Sequence, residues 1–375
     1  MKRCYLIIAL LVMCFNSLYQ YSWNVFEPLL AKGFGVEIVS VQIAFTLFAV
    51  FSTTFQGIGG YFADRDGPRN VSIAAALMSA FGFVASSLVH SIYLFYVIWS
   101  IGSIGEGILY GIATNLAVKW YSGRRGFAVG FVSLGFGLGS SIANIFLEKA
   151  SEFRFPMMFI GLAELIVLPL LLSFVKYPSS GLTGERPSRN IKNPRFWILY
   201  LSFVFGSIPL IVISSSFGFI GSKLPELEFA VLVSIFPLLS GISRPIIGAI
   251  SDAIGRPASV LLIDVAIFIG ALFLVLRNFI FAVVLIGFFG GSMISLYFSL
   301  IGDVFGTRFS TANNGIFYTG KAVSGFMGST LFAIIFTLGV EYSFYFVFIS
   351  AIFGIAFLII SMAIVHAHFY PSAER

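Results

Sequence analysis

The chain has 375 residues, of which 58% are hydrophobic and 10% are charged, and its net charge is +6. A soluble domain has about 25% charged residues, so this composition excludes a water-soluble globular protein and predicts a membrane protein. The two cysteines lie on one predicted helix and the three histidines are not clustered, so the sequence offers no metal site and no nucleophile for a membrane enzyme. Because it also lacks a phosphate-binding loop, we expect no cofactor and no direct coupling to ATP.

Twelve apolar stretches follow one another along the chain, each near the length of about 20 residues that a membrane-spanning helix needs. They cover residues 4–30, 38–63, 70–90, 92–118, 126–147, 155–175, 196–221, 226–250, 257–276, 279–302, 312–338 and 341–366. The one long polar segment is 176–195, which is rich in Pro, Gly, Ser and basic residues. We therefore predict an all-α membrane protein with an N-terminal six-helix bundle (1–175), a linker (176–195) and a C-terminal six-helix bundle (196–375).

The basic residues predict how the chain is oriented in the membrane. An even number of spans puts both termini and the linker on one side, which carries fifteen Lys and Arg residues against five on the other. This bias predicts a multi-pass protein of the cell membrane with cytoplasmic termini. It also explains the positive net charge without a nucleic-acid partner, so we expect the bilayer and a small substrate as partners and a functional monomer.

A polar turn occurs twice at equivalent positions of the two halves. Gly60 and Asp64 are repeated as Gly248 and Asp252, with the same separation of 188 residues for the glycines (248 − 60) and the aspartates (252 − 64). Because 188 is about half of the chain, the sequence predicts two copies of one six-helix unit related by pseudo-symmetry.

Two cations, Arg244 and Lys321, lie inside predicted spans. Arg244 precedes Asp252 by eight residues and Lys321 follows Ala312 by nine, which places both about 12–14 Å from the same membrane face. That is close to the middle of a hydrocarbon layer of about 30 Å, where each charge costs about 2.5–3.5 kcal/mol. Backbone carbonyls or buried acids could satisfy both cations; alternatively, they face a cavity that receives an anion.

These residues and five short strings resemble a known transporter family. The paired turns resemble the cytoplasmic loop signature of the major facilitator superfamily. The strings QYSWNVF (20–26), GIGGYFAD (57–64), KWYSGRRGFAVG (119–130), RP (244–245) and YTGK (318–321) resemble its oxalate/formate antiporter family, which is related to the monocarboxylate porters. The resemblance implies a central site in which Arg244 and Lys321 hold a carboxylate. The residues that it implies as the cavity lining are Gln20, Tyr21, Tyr110 and Tyr318.

The resemblance also implies that the repeated turns form a gate, in which Asp64 contacts the facing half. The residues assigned to this gate are Gly60, Asp64, Arg65, Gly67, Arg69, Gly248, Asp252, Gly255 and Arg256. The chain departs from the oxalate exchangers at three cavity positions, which are Ala49, Phe289 and Met293. The resemblance therefore indicates a carboxylate but does not specify oxalate.

Glu106 is an acid that the oxalate exchangers do not typically have at this position. It precedes Val118 by twelve residues, about 18 Å from the cytoplasmic end and close to the level of the two cations. It is structural, or tunes the charge of the site, or carries a proton. The leading hypothesis is a secondary transporter of small organic carboxylates that works by exchange or uniport. A proton-coupled monocarboxylate symporter that uses Glu106, a drug exporter and a non-transporting receptor of the same fold are the alternatives.

Overall fold

The computed structural model describes residues 2–178, 182–184, 186–221 and 224–369. Lys223 and Arg375 of the charge count, both chain ends and part of the predicted linker lie outside these ranges. Within them, eleven helices are long and apolar enough to cross a membrane, and a bent pair of helices adds a twelfth span. The all-α architecture predicted from the sequence is confirmed.

The N-terminal half contains seven helices that form six spans. Their bounds are α1 Lys2–Gln20, α2 Trp23–Phe34, α3 Ile38–Asp66, α4 Pro68–Leu88, α5 Ile92–Trp120, α6 Arg125–Leu147 and α7 Arg154–Leu172. The first span differs from the continuous helix predicted over 4–30, because α1 and α2 meet at an angle of 42°. Backbone groups freed inside a membrane need partners, and at this break the Asn144 amide donates to the carbonyl of Tyr21 at 3.2 Å.

The C-terminal half begins after a short linker helix, α8 Pro187–Asn190. Its helices are α9 Pro194–Ile220, α10 Glu226–Ile254, α11 Arg256–Val275, α12 Phe279–Phe305, α13 Ser310–Tyr318, α14 Gly320–Phe326, α15 Phe332–Leu338 and α16 Val340–Phe369. The eleventh span, Ser310–Leu338, is irregular: it breaks at Thr319 and contains a π-helical turn over Met327–Leu331. Such irregular turns frequently mark functional sites, and Lys321 lies just after the first break.

The two repeated turns have the same backbone design. Gly67 ends α3 at φ 96° and Gly255 ends α10 at φ 92°, in a region that disfavours side chains. The upstream glycines allow close crossings between the halves. A Cβ on Gly60 would lie 2.9 Å from the carbonyl oxygen of Thr311, and one on Gly248 would lie 2.8 Å from the carbonyl carbon of Gly126. The internal repeat therefore has a structural counterpart.

The halves contact each other on both sides of the molecular centre. At the end formed by the Asp64 turn, called the Asp64 end, α3 packs against α13 and α6 packs against α10. At the opposite end, the amide of Gln42 donates to the carbonyl of Ser215 at 2.6 Å, and the amide of Asn24 donates to that of Ile213 at 3.0 Å. The two halves therefore contact each other at both ends of the molecule, with the centre between them.

Candidate substrate site and gate

Arg244 is fully buried on α10, and its guanidinium reaches the N-terminal half. Its Nε donates to the carbonyl of Ser240 at 3.2 Å, and Nη1 donates to that of Ser133 on α6 at 3.1 Å. Its Nη2 donates to the hydroxyl of Tyr21 at 3.2 Å. Backbone carbonyls thus satisfy part of this cation, as one of the two sequence interpretations expected. Since a guanidinium has five N–H groups, two are still available for a ligand.

Lys321 is equally buried, but its surroundings are different. Within the part of the chain that the structure describes, its Nζ has no hydrogen-bond partner. The ammonium lies 4.8 Å from the ring centroid of Phe48 and 5.1 Å from that of Tyr318. Its electrostatic neighbours are Glu106 and Arg244. Two aromatic faces compensate only partly for lost hydration, so this ammonium is suited to an anionic ligand.

Tyr110 and Tyr318 form an aromatic wall between the two cations. Their rings stack with centroids 5.3 Å apart, and neither hydroxyl has a hydrogen-bond partner among the described residues. Phe136 continues the wall, because its ring centroid lies 5.4 Å from that of Tyr110 and 5.2 Å from Cζ of Arg244. Phe298 on α12 packs against its other side, with its ring centroid 5.2 Å from that of Tyr318. Two hydroxyl donors therefore accompany two cations within one buried cluster.

Gln20 and Tyr21 lie where the first span breaks, and both contact the C-terminal half. The amide nitrogen of Gln20 donates to the Ser214 hydroxyl at 3.5 Å, while its Oε1 has no partner among the described residues. The hydroxyl of Tyr21 lies 2.7 Å from that of Ser240 and accepts from Arg244. The break thus turns two polar side chains toward the other half.

Glu106 is buried on α5, beside the cation cluster. The Ser52 hydroxyl on α3 donates to its Oε2 at 2.6 Å, and its Oε1 has no partner in the described ranges. The first contact is the bond to a neighbouring helix that a structural carboxyl would make. The free oxygen and the nearby Lys321 are what a charge-tuning or proton-carrying carboxyl would need.

Asp64 makes a buried contact between the halves. Its Oδ1 pairs with Nζ of Lys119 at 3.0 Å and accepts from the hydroxyl of Thr311 at 2.6 Å. Its Oδ2 accepts from the backbone N–H of Ala312 at 3.1 Å, near the start of α13, where the helix dipole favours an anion. One carboxylate thus connects two N-terminal helices to the first turn of a C-terminal one.

Lys119 and the linker extend this contact. Lys119 also donates to the carbonyls of Thr307 and Arg308, at 2.9 and 3.0 Å. Its ammonium lies 4.9 Å from the ring centroid of Tyr177, whose hydroxyl is 3.3 Å from that of Thr311. Because Thr311 gives its hydrogen to Asp64, Tyr177 is the donor to Thr311. Burial raises the pKa of Tyr177 well above its usual value, which keeps this hydroxyl protonated.

Asp252 makes the pseudo-symmetric contact in the opposite direction. Its two oxygens accept from the backbone N–H groups of Gly126 and Phe127, at 3.2 and 3.0 Å, in the first turn of α6. Nη2 of Arg256 lies 2.5 Å from Oδ1 of Asp252. The carboxylate of each turn thus caps a helix of the facing half.

The surface around Asp252 holds a further ion-pair network. Nε of Arg256 lies 3.1 Å from Oδ2 of Asp303, and Asp303 also pairs with Arg125 of the N-terminal half. Arg65 and Arg69, two of the predicted gate residues, do not join either cluster in the contacts that the structure gives them. Arg65 pairs with its neighbour Asp66, and Arg69 is exposed.

Comparison with known proteins agrees with this geometry. The chain matches the profile of the Major Facilitator Superfamily over residues 6–329 and 204–374. The chain belongs to the major facilitator superfamily. Superfamily proteins are membrane transporters of small molecules, so this protein is a transporter, as predicted, and has the two-bundle architecture of that superfamily.

Relatives within the superfamily cover nearly the whole chain. It is 32% identical to the oxalate:formate antiporter of Oxalobacter formigenes, over 89% of this chain and 84% of that protein. It is 41% identical to an uncharacterised 38 kDa protein in the 23S RNA operon of Thermoproteus tenax, over 89% of both chains. The human organic anion transporter MFSD10 has the same fold, with a TM-score of 0.74 at 14% identity over 95% of this chain and 99% of that one. The resemblance to the oxalate/formate antiporter family is confirmed.

Some site residues of this superfamily member were missed by sequence reasoning. The rings of Phe48 and Phe136 face the two cations, and that of Phe298 packs against Tyr318, but 45 phenylalanines gave no basis for choosing them. Asp303 and Arg125 carried a weak signal, because both are charged residues next to predicted span ends. Among the described residues, no group of three His, Cys, Asp or Glu side chains could hold a metal ion.

Proposed function

We propose that the protein moves small organic carboxylates across the membrane by exchange or uniport. The observation that carries this proposal is the buried ammonium of Lys321, which has no hydrogen-bond partner among the described residues and lies 5.1 Å from the ring centroid of Tyr318, in the same buried cluster as Tyr110 and Arg244. A carboxylate accepts hydrogen bonds from ammonium, guanidinium and hydroxyl donors at once. The similarity to the Oxalobacter formigenes antiporter supports the same substrate class.

Arg244 links substrate binding to movement of the halves. Its bonds to Ser133 and Tyr21 join α10 to the N-terminal half. A carboxylate that binds the two remaining N–H groups pulls the planar guanidinium toward itself and weakens these bonds. Substrate binding then exchanges contacts between the halves for contacts to the ligand, which favours the rocking of one half against the other. In this proposal the Asp64 end is the cytoplasmic gate, in agreement with the positive-inside bias.

Counterflow into proteoliposomes tests the proposal. Labelled formate, acetate, lactate and oxalate are offered to vesicles that contain the wild type, Lys321→Ala or Arg244→Lys. We expect each variant to lose counterflow by at least about tenfold, since a buried charge-assisted contact contributes more than roughly 1.4 kcal/mol. Lys149→Ala, an exposed lysine outside the site, is the matched control. Wild-type exchange by Lys321→Ala would show that the cationic site is not used.

Proton-coupled monocarboxylate symport is the second candidate, and the geometry of Glu106 favours it. When Glu106 is ionised, it offsets one of the two cations and leaves a net charge of +1, which suits a monocarboxylate. Its free oxygen also allows a proton to enter and leave. Both roles predict that Glu106→Gln shifts selectivity toward dicarboxylates or removes a dependence on the pH gradient.

The experiment measures uptake of oxalate and of formate or lactate by the wild type and Glu106→Gln, with and without a pH gradient. Glu164→Gln is the matched control, because Glu164 is also buried and accepts from a serine hydroxyl, Ser79, at 2.8 Å. Unchanged selectivity and pH response in Glu106→Gln would make Glu106 structural and exchange the better assignment.

A further inference from the structure

A basic cavity lies beside the gate at the Asp64 end. Its volume is about 680 Å³, and three arginines line it: Arg65, Arg186 and Arg308. They come from the end of α3, from the linker and from the loop before α13. The cavity wall is thus shared by the N-terminal half, the linker and the C-terminal half.

An apolar groove of about 400 Å³ adjoins this cavity. It runs between α3 and α13 along the seam of the two halves, where Ile58, Ala312 and Ile316 line it. Tyr61 and Pro187 line both spaces and therefore connect them. Ile58 is 49% exposed on a membrane-spanning helix, so the groove opens toward lipid.

Two of the three arginines pack against aromatic rings that line these spaces: Phe62 in the groove and Phe309 in the cavity. The Cζ atom of Arg65 lies 5.2 Å from the ring centroid of Phe62, and that of Arg308 lies 5.4 Å from the ring centroid of Phe309. Two carboxylates are close by, but Asp66 pairs with Arg65 and Asp64 pairs with Lys119. Among the described residues, Arg186 and Arg308 therefore give the cavity its excess positive charge, next to an apolar channel.

We propose that the cavity and the groove together bind one phospholipid with an anionic headgroup. The guanidinium groups receive the headgroup phosphate, for which arginine has matching geometry. One acyl chain lies in the groove between α3 and α13. Clusters of basic residues at the cytoplasmic membrane surface favour anionic lipids in the same way.

The position of this lipid gives it a conformational effect. Its contacts span both halves and the linker, and they exist together only while α3 lies against α13. The lipid therefore stabilises the state in which the Asp64 end is closed. This inference concerns lipid binding alone, so it holds or fails independently of which substrate the protein carries.

Lipid retention by the purified full-length protein tests the site. The protein is placed in mixed bilayers of phosphatidylcholine and phosphatidylglycerol, extracted, and analysed for bound lipid by native mass spectrometry. We expect the wild type to retain phosphatidylglycerol, and Arg65→Gln combined with Arg308→Gln to lower retention at least about tenfold, given roughly fivefold per arginine. Arg124→Gln combined with Lys192→Gln, two exposed cations outside the cavity, is the control and should retain the lipid.

A variant in the groove distinguishes a lipid from a free phosphate. Thr54 is an exposed residue of α3 that lines the groove, so Thr54→Trp fills the acyl-chain space and leaves the arginines in place. We expect this variant to lose phosphatidylglycerol, while added inorganic phosphate does not displace the lipid from the wild type. Full retention by Thr54→Trp, displacement by phosphate, or equal retention of phosphatidylcholine and phosphatidylglycerol would each overturn the proposal.

Discussion

The two pseudo-symmetric turns perform the same backbone task in different electrostatic settings. Asp64 and Asp252 each accept N–H hydrogen bonds from the first turn of a helix in the facing half. The side chains of Asp64 and its partner Lys119 are both 1% exposed. Asp252 is 22% exposed, and the nearby Asp303 is 40% exposed.

The repeated turns therefore give the same hydrogen bonds between the halves, but the free energy of each contact depends on how deeply it is buried. Removing one partner of a buried ion pair is strongly destabilising, because the other charge stays buried without a counter-ion. A partly solvated pair contributes little to stability. The Asp64 contact is therefore expected to decide whether its end of the molecule stays closed. The Asp252 contact is expected to guide the same movement without controlling it.

The largest expected effect comes from Asp64→Asn compared with Asp252→Asn. Asp64→Asn leaves the buried ammonium of Lys119 with two backbone carbonyls but without a counter-ion, which destabilises the closed state by about 3–5 kcal/mol. Asp252→Asn keeps an oxygen for only one of the two helix N–H groups, but the site is partly exposed to water and no buried charge loses its partner, so the effect is about 0–1 kcal/mol. The measurement is maleimide labelling of a Ser310→Cys reporter, which lies on the seam and bonds to Asn115 across the halves.

The two native cysteines, Cys4 and Cys14, are first replaced by serine, so that the reporter alone is labelled. Labelling from the Asp64 end should rise by about a hundredfold or more in Asp64→Asn and by at most about fivefold in Asp252→Asn. Equal labelling of the two variants would contradict the comparison.

The second-largest effect is expected when a substitution of Lys119 restores closure of the Asp64 end in the Asp64→Asn variant. Asp64→Asn combined with Lys119→Gln removes both charges and leaves two amides that can bond to each other and to Thr311. Replacing a buried ion pair by neutral groups is often nearly neutral. We therefore expect the double variant to close better than Asp64→Asn alone, by about 1–3 kcal/mol on the same labelling scale. Additive opening in the double variant would mean that the buried pair is not the cause.

A smaller effect is expected from Asp303→Asn, because its network is partly solvated. The substitution leaves Arg125 and Arg256 close together without their shared carboxylate, at a cost of about 1 kcal/mol. Since salt screens exposed charges, 1 M salt should raise reporter labelling in the wild type and change it little in Asp303→Asn. A wild type that is insensitive to salt would argue against this network.

The smallest effect is expected from Tyr177→Phe. This change removes one long hydrogen bond to Thr311 and keeps the ring beside Lys119, so we expect about 0.5–1 kcal/mol. Labelling of the Ser310→Cys reporter should rise only about two- to fivefold. A rise as large as that of Asp64→Asn would make the linker, rather than the buried ion pair, the main gate contact.

The fold was predictable from the sequence because lipid restricts the choices. A spanning segment must satisfy its own backbone, so apolar length alone predicts a helix. The break at Tyr21 was not predictable, because a helix and a broken helix have the same apolar length. The side-chain amide of Asn144 donates to the carbonyl of Tyr21 at this break, and Asn144 lies 123 residues further along the chain.

The two buried cations of the candidate site were predictable from the sequence, but their contacts were not. Charge inside a span identifies Arg244 and Lys321, and depth along their helices places them at one level. Their difference comes from tertiary packing: the carbonyl of Ser133 reaches Arg244 from another helix, 111 residues away. Among the described residues, no carbonyl or other acceptor is hydrogen-bonded to Nζ of Lys321. Sequence spacing carries no information about such contacts.

The linker contains two neighbouring attachment points on opposite halves. The indole of Trp120 in the N-terminal half donates to the carbonyl of Lys176 at 2.9 Å, while the hydroxyl of Tyr177 is bound to Thr311 in the C-terminal half. Consecutive Cα atoms are about 3.8 Å apart, so almost no slack separates the two anchors. The linker thus limits how far the halves can move apart at this point, because any larger separation has to break one of these two hydrogen bonds.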